Sequence, residues 1–211
     1  MTAKVLLAIP SYRTMFSKAL PGLLQAVVES VQSQTLYILT VPIGMNIHQA
    51  RNNVFVDAAK SDCTHVWFLD DDVTPPAGAL QKLLSCHESV VGGAYPLMIE
   101  GQKKCSAWHW GEDGQTNLLP WPPRGLVSLE VCIRVGGVGT GCMLLQIDVI
   151  RTMLEKYKLP FASPNEIDKN GNIVDVSDDV YFGDLLSKEG IPVHLDTSVV
   201  CKHFGIGELG Y

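Results

Sequence analysis

The chain has no two cysteines at CxxC spacing, no run of lysines or arginines, no apolar stretch of bilayer-spanning length and no low-complexity linker. Each absence excludes something. The six cysteines (Cys63, Cys86, Cys105, Cys132, Cys142 and Cys201) are widely scattered, which fits a reduced, cytoplasmic chain better than a disulfide framework. Charged residues make up only 18% of the sequence and carry a formal net charge of −6, so no basic track is available for a phosphate backbone. General nucleic-acid binding is not expected. No segment approaches the roughly 18 to 20 apolar residues that cross a bilayer. The opening MTAKVLLAIPSYR carries an apolar run shorter than a secretory h-region, so neither a leader nor a membrane span is expected. What the chain does have is 46% hydrophobic residues in 211, enough for one sizeable core, and it reads as a single domain over 1–211.

Apolar runs stopped by proline, KVLLAIP at 4–10 and LYILTVP at 36–42, read as buried strands, and HVWFL at 65–69 reads as a third. A helix is expected over 21–33, with Leu24, Val27, Val28 and Val31 on its apolar face. A second is expected over IHQARNNVFVDAAK, capped by Asn46, with Ala50, Val54 and Ala58 inward. TPPAGALQKLL predicts a helix that starts with Thr74 as cap and Pro75 or Pro76 in its first turn. Residues 97–125, rich in Trp, Pro and Gly, read as a long excursion with little periodicity. VSLEVCIRV at 127–135 alternates as an antiparallel strand with one wet face, and GGVGTGCMLLQI approaches another apolar strand. Asp148 is expected to cap the helix VIRTMLEKY, KNGN at 169–172 to turn, DDVYFGDLLSKEG to form a short helix closed by Gly190, and PVHLDTSVVCKHFG to supply the last strands. The sum is an α/β fold with a mixed, mostly parallel sheet flanked by helices.

The stretch FLDDDV places Asp70, Asp71 and Asp72 directly behind an apolar strand. One such Asp suits a helix N-terminus; three in a row repel one another unless a cation, shared protons or water relieves them. On the expected strand-to-helix loop they lie at the carboxyl edge, where open α/β sheets bind ligands. A hard cation with oxygen ligands, Mg²⁺ or Mn²⁺, answers the repulsion. A second carboxylate pair, Asp178 and Asp179, stands at the start of a helix, where it serves either the helix N-terminus or general-base chemistry. Arg51 and Arg13 are candidates for phosphate oxygens, with a solvated helix face as the other reading of Arg51. VGGVGTGC lacks GxGxxG spacing and opens a strand, which excludes a dinucleotide loop. Trp108, Trp110 and Trp121 offer flat apolar faces to a sugar ring or pack the excursion. His48, His65, His87 and His194 share no spacing that unites them.

An apolar strand ending in Asp-x-Asp resembles the DxD motif of glycosyltransferases with the GT-A fold, most like family 2. KVLLAIPSYR resembles the first strand of that family, whose following loop, here Pro10, Tyr12 and Arg13, borders the nucleotide. QARNNVFVDAAKSDCTHVWFLDDDV resembles the helix and strand that lead to DxD, and GGVGTGCMLLQIDVI the Gly-rich segment beside the acceptor, with Gly139 and Gly141. VSDDVYFGDLLSKEGIPVHLDTSVVCKHFG resembles the late ED segment and its metal-binding His, with Asp178 where the family has Glu. The resemblance implies a nucleoside diphosphate sugar as donor, a hydroxyl-bearing acceptor, Asp72 and His203 as ligands of Mn²⁺ (or Mg²⁺), Asp70 on the ribose or nucleotide and Asp71 spare or orienting. It further implies Asp179 as the base of an inverting transfer, a nucleotide-sugar half over 1–96 and an acceptor half over 97–211. Rival readings are a nucleotidyltransferase, a non-catalytic sugar-nucleotide or glycan-binding module, and a transferase that places sugar on modified DNA bases.

Overall fold

The computed structural model describes residues 3–10, 19–32, 36–40, 45–123, 131–167 and 171–204. Seven strands form the central sheet: β1 (Val5–Ile9), β2 (Leu36–Thr40), β3 (His65–Leu69), β5 (Val90–Ala94), β9 (Cys132–Val135), β11 (Cys142–Gln146) and β14 (Val193–Val200). Their order across the sheet is β2-β1-β3-β11-β5-β14-β9. β1 runs parallel to β2 and β3, and β14 parallel to β5, while β11 and β9 run antiparallel to their neighbours. Five strands therefore point one way and β11 and β9 the other, the mixed, mostly parallel arrangement expected.

The apolar runs are continuous because both faces of the sheet are covered. In β1, Val5 and Leu7 face one core while Leu6 and Ala8 face the other; in β3, Trp67 and Leu69 oppose Val66 and Phe68 in the same way. On the first face lie α1 (Leu20–Gln32) and α3 (Ala79–Ser85); on the second lie α2 (Ile47–Lys60), α4 (Ile147–Lys156) and α5 (Asp178–Lys188). Phe55, Phe161 and Phe182 pack edge-on or tilted at centroid distances of 4.5 to 5.6 Å, tying α2 to α5 through the 161 loop. Asn46 caps α2 as expected, its side chain accepting from the Gln49 N–H at 2.9 Å.

Four expectations need correction. The α1 segment turns Val27 inward as expected, but buries Ala19 and Leu23 and leaves Leu24 and Val28 exposed; the side chain of Val31 lies outside the described residues. Thr74 does not cap a helix: it lies in β4 (Val73–Thr74), paired with β15 (Lys202–His203), and α3 begins only after Gly78, whose positive φ of 71° ends the proline-bearing turn. Asp148 lies within the first turn of α4, and Gln146 holds the cap position. The excursion is sheet: β6 (Pro96–Ile99), β7 (Gln102–Trp110), β8 (Thr116–Pro120) and β10 (Gly137–Val138) pair antiparallel. Strand periodicity is hidden there because Cys105, Ala107 and Trp108 are buried while Lys103, His109 and Asn117 face out, with a register break between. β12 (Asn165–Ile167) and β13 (Ile173–Asp175) pair antiparallel on either side of KNGN, of which 169 and 170 lie outside the described residues, as do positions 127–130 of the expected alternating strand.

Candidate functional site

Register alone gathers the site at one edge of the sheet. β1 and β3 pair with Ala8 opposite Phe68, which puts Pro10 level with Asp70. β11 returns antiparallel with Cys142 opposite Leu69, and the Asp70 N–H donates to the Gly141 carbonyl at 3.1 Å. Behind Asp70 the chain turns sharply, the Val73 N–H donating back to the Asp70 carbonyl at 3.0 Å. The late segment is then zipped onto this turn: His203 pairs with Val73, and the Phe204 N–H donates to the Asp72 carbonyl at 2.9 Å. The triple Asp thus sits on a strand-turn-strand corner, and His203 arrives beside Asp72 through backbone pairing.

Arg51 answers much of the repulsion. It is 4% exposed, and its NH2 group donates to both oxygens of Asp70 at 2.9 and 3.0 Å while NH1 donates to Asp178 at 2.6 Å. A residue whose sequence context suggests a phosphate ligand or a solvated helix face is here committed to two carboxylates, as the brace that joins the DDD turn to α5. A charge-assisted fork of this kind gives geometry as well as energy. Burial opposes the Arg51 charge, and Asp70 and Asp178 outweigh it, so its pKa is raised. Burial pushes the Asp70 carboxyl up; Arg51 pulls it down, and the neighbouring charges of Asp72 and Asp178 push it up again, for a net rise.

Both ring nitrogens of His203 are engaged. Its Nδ1 stands 2.9 Å from the Pro96 carbonyl and its Nε2 3.3 Å from Asp72 Oδ2. A carbonyl only accepts, so Nδ1 carries a hydrogen and neutral His203 turns the Nε2 lone pair toward a carboxylate. Two electron pairs in opposition call for a proton or a cation between them. The hydrogen bond to Asp72 accordingly raises the His203 pKa against the opposing effect of burial. A ring whose other nitrogen is held by a backbone carbonyl is also the usual arrangement of a metal-ligating histidine. Among the described residues no group of three or more His, Cys, Asp and Glu side chains converges as a metal cage. Hard divalent cations at phosphate-handling sites need only one or two carboxylates, with waters and substrate oxygens completing the shell. Asp72 and His203 fit that pattern.

The paired acids at 178 and 179 divide. Asp178 is buried and committed to Arg51. Asp179 is half-buried, its Oδ1 accepting from the Ser177 hydroxyl at 2.5 Å and the Val180 N–H at 2.9 Å. In the loop after β1, Pro10 is buried, and Tyr12 and Arg13 lie outside the described residues. Asp71 is half-buried beside Asp70 and Asp72. Trp108 is 2% exposed and packs against Gly137 and Gly183, so it offers no face to a ligand, whereas Trp110 is half-exposed. Trp121 is partly buried against the core on the α2 side of the sheet.

Tyr95, which no motif in the sequence singles out, lies at the centre. It follows β5 at the same edge, its hydroxyl accepts from the Gly141 N–H at 3.2 Å, and its ring meets His203 edge-on at 5.3 Å. Gly139 and Gly141 are bare for its sake: a Cβ on Gly139 would stand 2.1 Å from the Tyr95 hydroxyl and one on Gly141 2.8 Å from its ring. The available signal is VVGGAYP, an apolar strand stopped before a proline like the first two. Gly139→Ala is expected to cost about 1–3 kcal/mol by overpacking. Thermal melts of Gly139→Ala alone and on a Tyr95→Phe background check this, since removing the hydroxyl should return part of the loss.

The architecture is that of the GT-A type, the nucleotide-diphospho-sugar transferase fold. No family model and no curated protein matches the sequence. Solved structures do match in fold. A197 from STIV superposes with a TM-score of 0.58 and 20% identity over 96% of this chain and 86% of its own. GalNAc-T7, solved with UDP, GalNAc and Mn²⁺, gives 0.55 at 12% identity over 96% of this chain, which spans 44% of the length of GalNAc-T7. The inositol-1-phosphate CTP transferase from T. maritima gives 0.52 at 10% identity over 100% of this chain and 93% of its own.

Proposed function

We propose that the chain is a metal-dependent glycosyltransferase that moves a sugar from a nucleoside diphosphate donor to an acceptor hydroxyl with inversion. The observation that carries this reading is the Arg51 bridge, which holds the DDD turn and the first turn of α5 together so that Asp72, His203 and Asp179 gather at one edge. Residues 1–96 form the donor half and 97–211 the acceptor half. Asp72 and His203 hold the cation, and their mixed oxygen and nitrogen set favours Mn²⁺ over Mg²⁺. Bound there, the cation supplies Lewis-acid stabilisation of the departing diphosphate. Each Asp70 oxygen keeps a second lone-pair direction beyond its bond to Arg51, available to a ribose hydroxyl. Asp179 takes the acceptor proton; Asp178 is a positioning residue that acts through Arg51. The fold shared with GalNAc-T7, which was solved with UDP and Mn²⁺, supports this reading.

The test is a panel of nucleoside diphosphate sugars with Mn²⁺ or Mg²⁺, following release of nucleoside diphosphate by wild type and Asp72→Ala. One donor should be hydrolysed in a metal-dependent reaction that Asp72→Ala abolishes. Release of pyrophosphate from nucleoside triphosphates instead would install the nucleotidyltransferase, and absence of any turnover with retained donor binding would install the binding module. Metal loading carries its own pH signature. Binding displaces the proton held between His203 and Asp72, so Mn²⁺ affinity should rise from about pH 6 to pH 8. Titration calorimetry in buffers of different ionisation heat should show proton release; a pH-independent affinity would remove His203 from the ligand set.

A further inference from the structure

We infer that the acceptor is a neutral oligosaccharide of at least two sugar units, bound in a groove that crosses the ring of Trp110. The inference rests on the transferase reading and names the substrate of its acceptor half. Ser177 and Val180, the two residues whose hydroxyl and N–H hold Asp179 Oδ1, both line a cavity of about 520 Å³. The cavity therefore borders the residues that hold the proposed base, which does not itself line it. This volume falls within the range of ligand sites that enclose small molecules. Trp110 stands in its wall together with Tyr181.

The ring of Trp110 is fixed. Its Nε1 donates to the Gly136 carbonyl at 3.0 Å, and it meets Trp108 edge-on at a centroid distance of 6.0 Å. Gly183 of α5 lets the helix approach this pair, since a Cβ there would stand 2.9 Å from Trp108 and 3.7 Å from Trp110. A mid-helix glycine costs helix stability, and here it makes room for the Trp108 indole against which Trp110 is set. A second cavity of about 420 Å³ shares Trp110 with the first and continues past it between Arg134 and Gly190. One fixed aromatic ring flanked by two adjoining cavities suits two linked units stacking on either side of one platform.

The lining chooses the chemistry. Gln115, Thr116 and Ser177 present amide and hydroxyl groups, Glu166 and Asp175 present carboxylates, and Asp184 is ion-paired with Lys188, which also lines the cavity. Carboxylates accept hydrogen bonds from sugar hydroxyls and repel phosphate, which disfavours nucleic acid and phospholipid head groups. The valines that remain are too few to seat an acyl chain.

The experiment is a binding screen of the full-length chain against immobilised neutral and acidic glycans from one to four units, with a single-stranded DNA oligonucleotide as a comparator. Calorimetry on the best neutral disaccharide and on its constituent monosaccharide follows. The disaccharide should bind about tenfold more tightly than the monosaccharide, Trp110→Ala should lose about tenfold or more, and Trp110→Phe should recover part. Thr116→Arg, a half-exposed position on β8, fills the groove without touching the core and should abolish binding at an unchanged melting temperature. Absence of binding to every neutral glycan, equal affinity for monosaccharide and disaccharide, preference for DNA, or indifference to Thr116→Arg would each overturn the inference. Donor hydrolysis needs no acceptor, so hydrolysis without glycan binding sinks the groove alone. Glycan binding without donor hydrolysis sinks the transferase and leaves the groove standing.

Discussion

Arg51→Met should destabilise the fold by about 3–5 kcal/mol at neutral pH, because it strips the cation from two carboxylates that folding has largely taken out of water. Arg51 is 4% exposed and touches both Asp70 and Asp178, so no solvent reaches in to replace it. The loss has a sign in pH. Burial already holds the Asp70 carboxyl above its ordinary value, and without Arg51 it rises further. Such a group contributes stability below the unfolded pKa and loses it as pH rises through the folded one. The deficit should therefore be largest near pH 7 and shrink as pH falls from about 6 toward 4. Urea melts at several pH values check the trend. The triple variant Arg51→Met with Asp70→Asn and Asp178→Asn should regain most of the lost stability, since a buried ion cluster is often replaceable as a whole and never by halves. A single variant within about 1 kcal/mol of wild type would show that the bridge does not hold the two segments together.

The elements legible in the sequence are those whose burial is symmetrical or whose caps are local. β1 and β3 read as unbroken apolar runs because each alternate residue meets a core of its own, and Asn46 announces α2 because its side chain satisfies a donor three residues on. Thr74 misleads for a related reason. Thr before Pro-Pro is a good cap in isolation, but the backbone at 73–74 is claimed by Lys202 and His203 from the far end of the chain. No local pattern reports such a partner. The sheet at 96–120 is illegible for another reason: its strands have uneven exposure and a register break at β7–β8 that destroys the period of two.

The site divides along the same line. Asp70, Asp72, Asp178, Asp179 and His203 stand out as charges at element ends. The role of Arg51 does not, because a guanidinium bound for phosphate and one bound for carboxylates look alike in sequence. Tyr95 and the Gly139–Gly141 segment fit each other only after β5 and β11 have paired. Trp108 and Trp110 are two residues apart and have opposite fates, one in the core and one on a groove, which depends on the close approach of α5 at Gly183.

Asp179→Asn should lower kcat for glycosyl transfer by about 10²–10⁴-fold with little change in stability or in donor affinity. Asparagine keeps an oxygen where the Ser177 hydroxyl and the Val180 N–H donate, so the first turn of α5 retains its shape. What it lacks is the capacity to take a proton from the attacking hydroxyl. Asp178→Asn should behave in the opposite way. It removes the charge that pairs with one arm of a buried guanidinium and leaves only an amide oxygen to accept from it, so its melting temperature should fall, and its turnover should fall only through the loosened brace. Melting curves, nucleoside diphosphate competition for donor binding and initial rates on the same two variants separate the roles. A stable, inactive Asp179→Asn beside a destabilised, partly active Asp178→Asn assigns the base to Asp179. The reverse pattern would move the base to Asp178 and leave Asp179 as a structural acid in the first turn of α5, held by the Ser177 hydroxyl and the Val180 N–H.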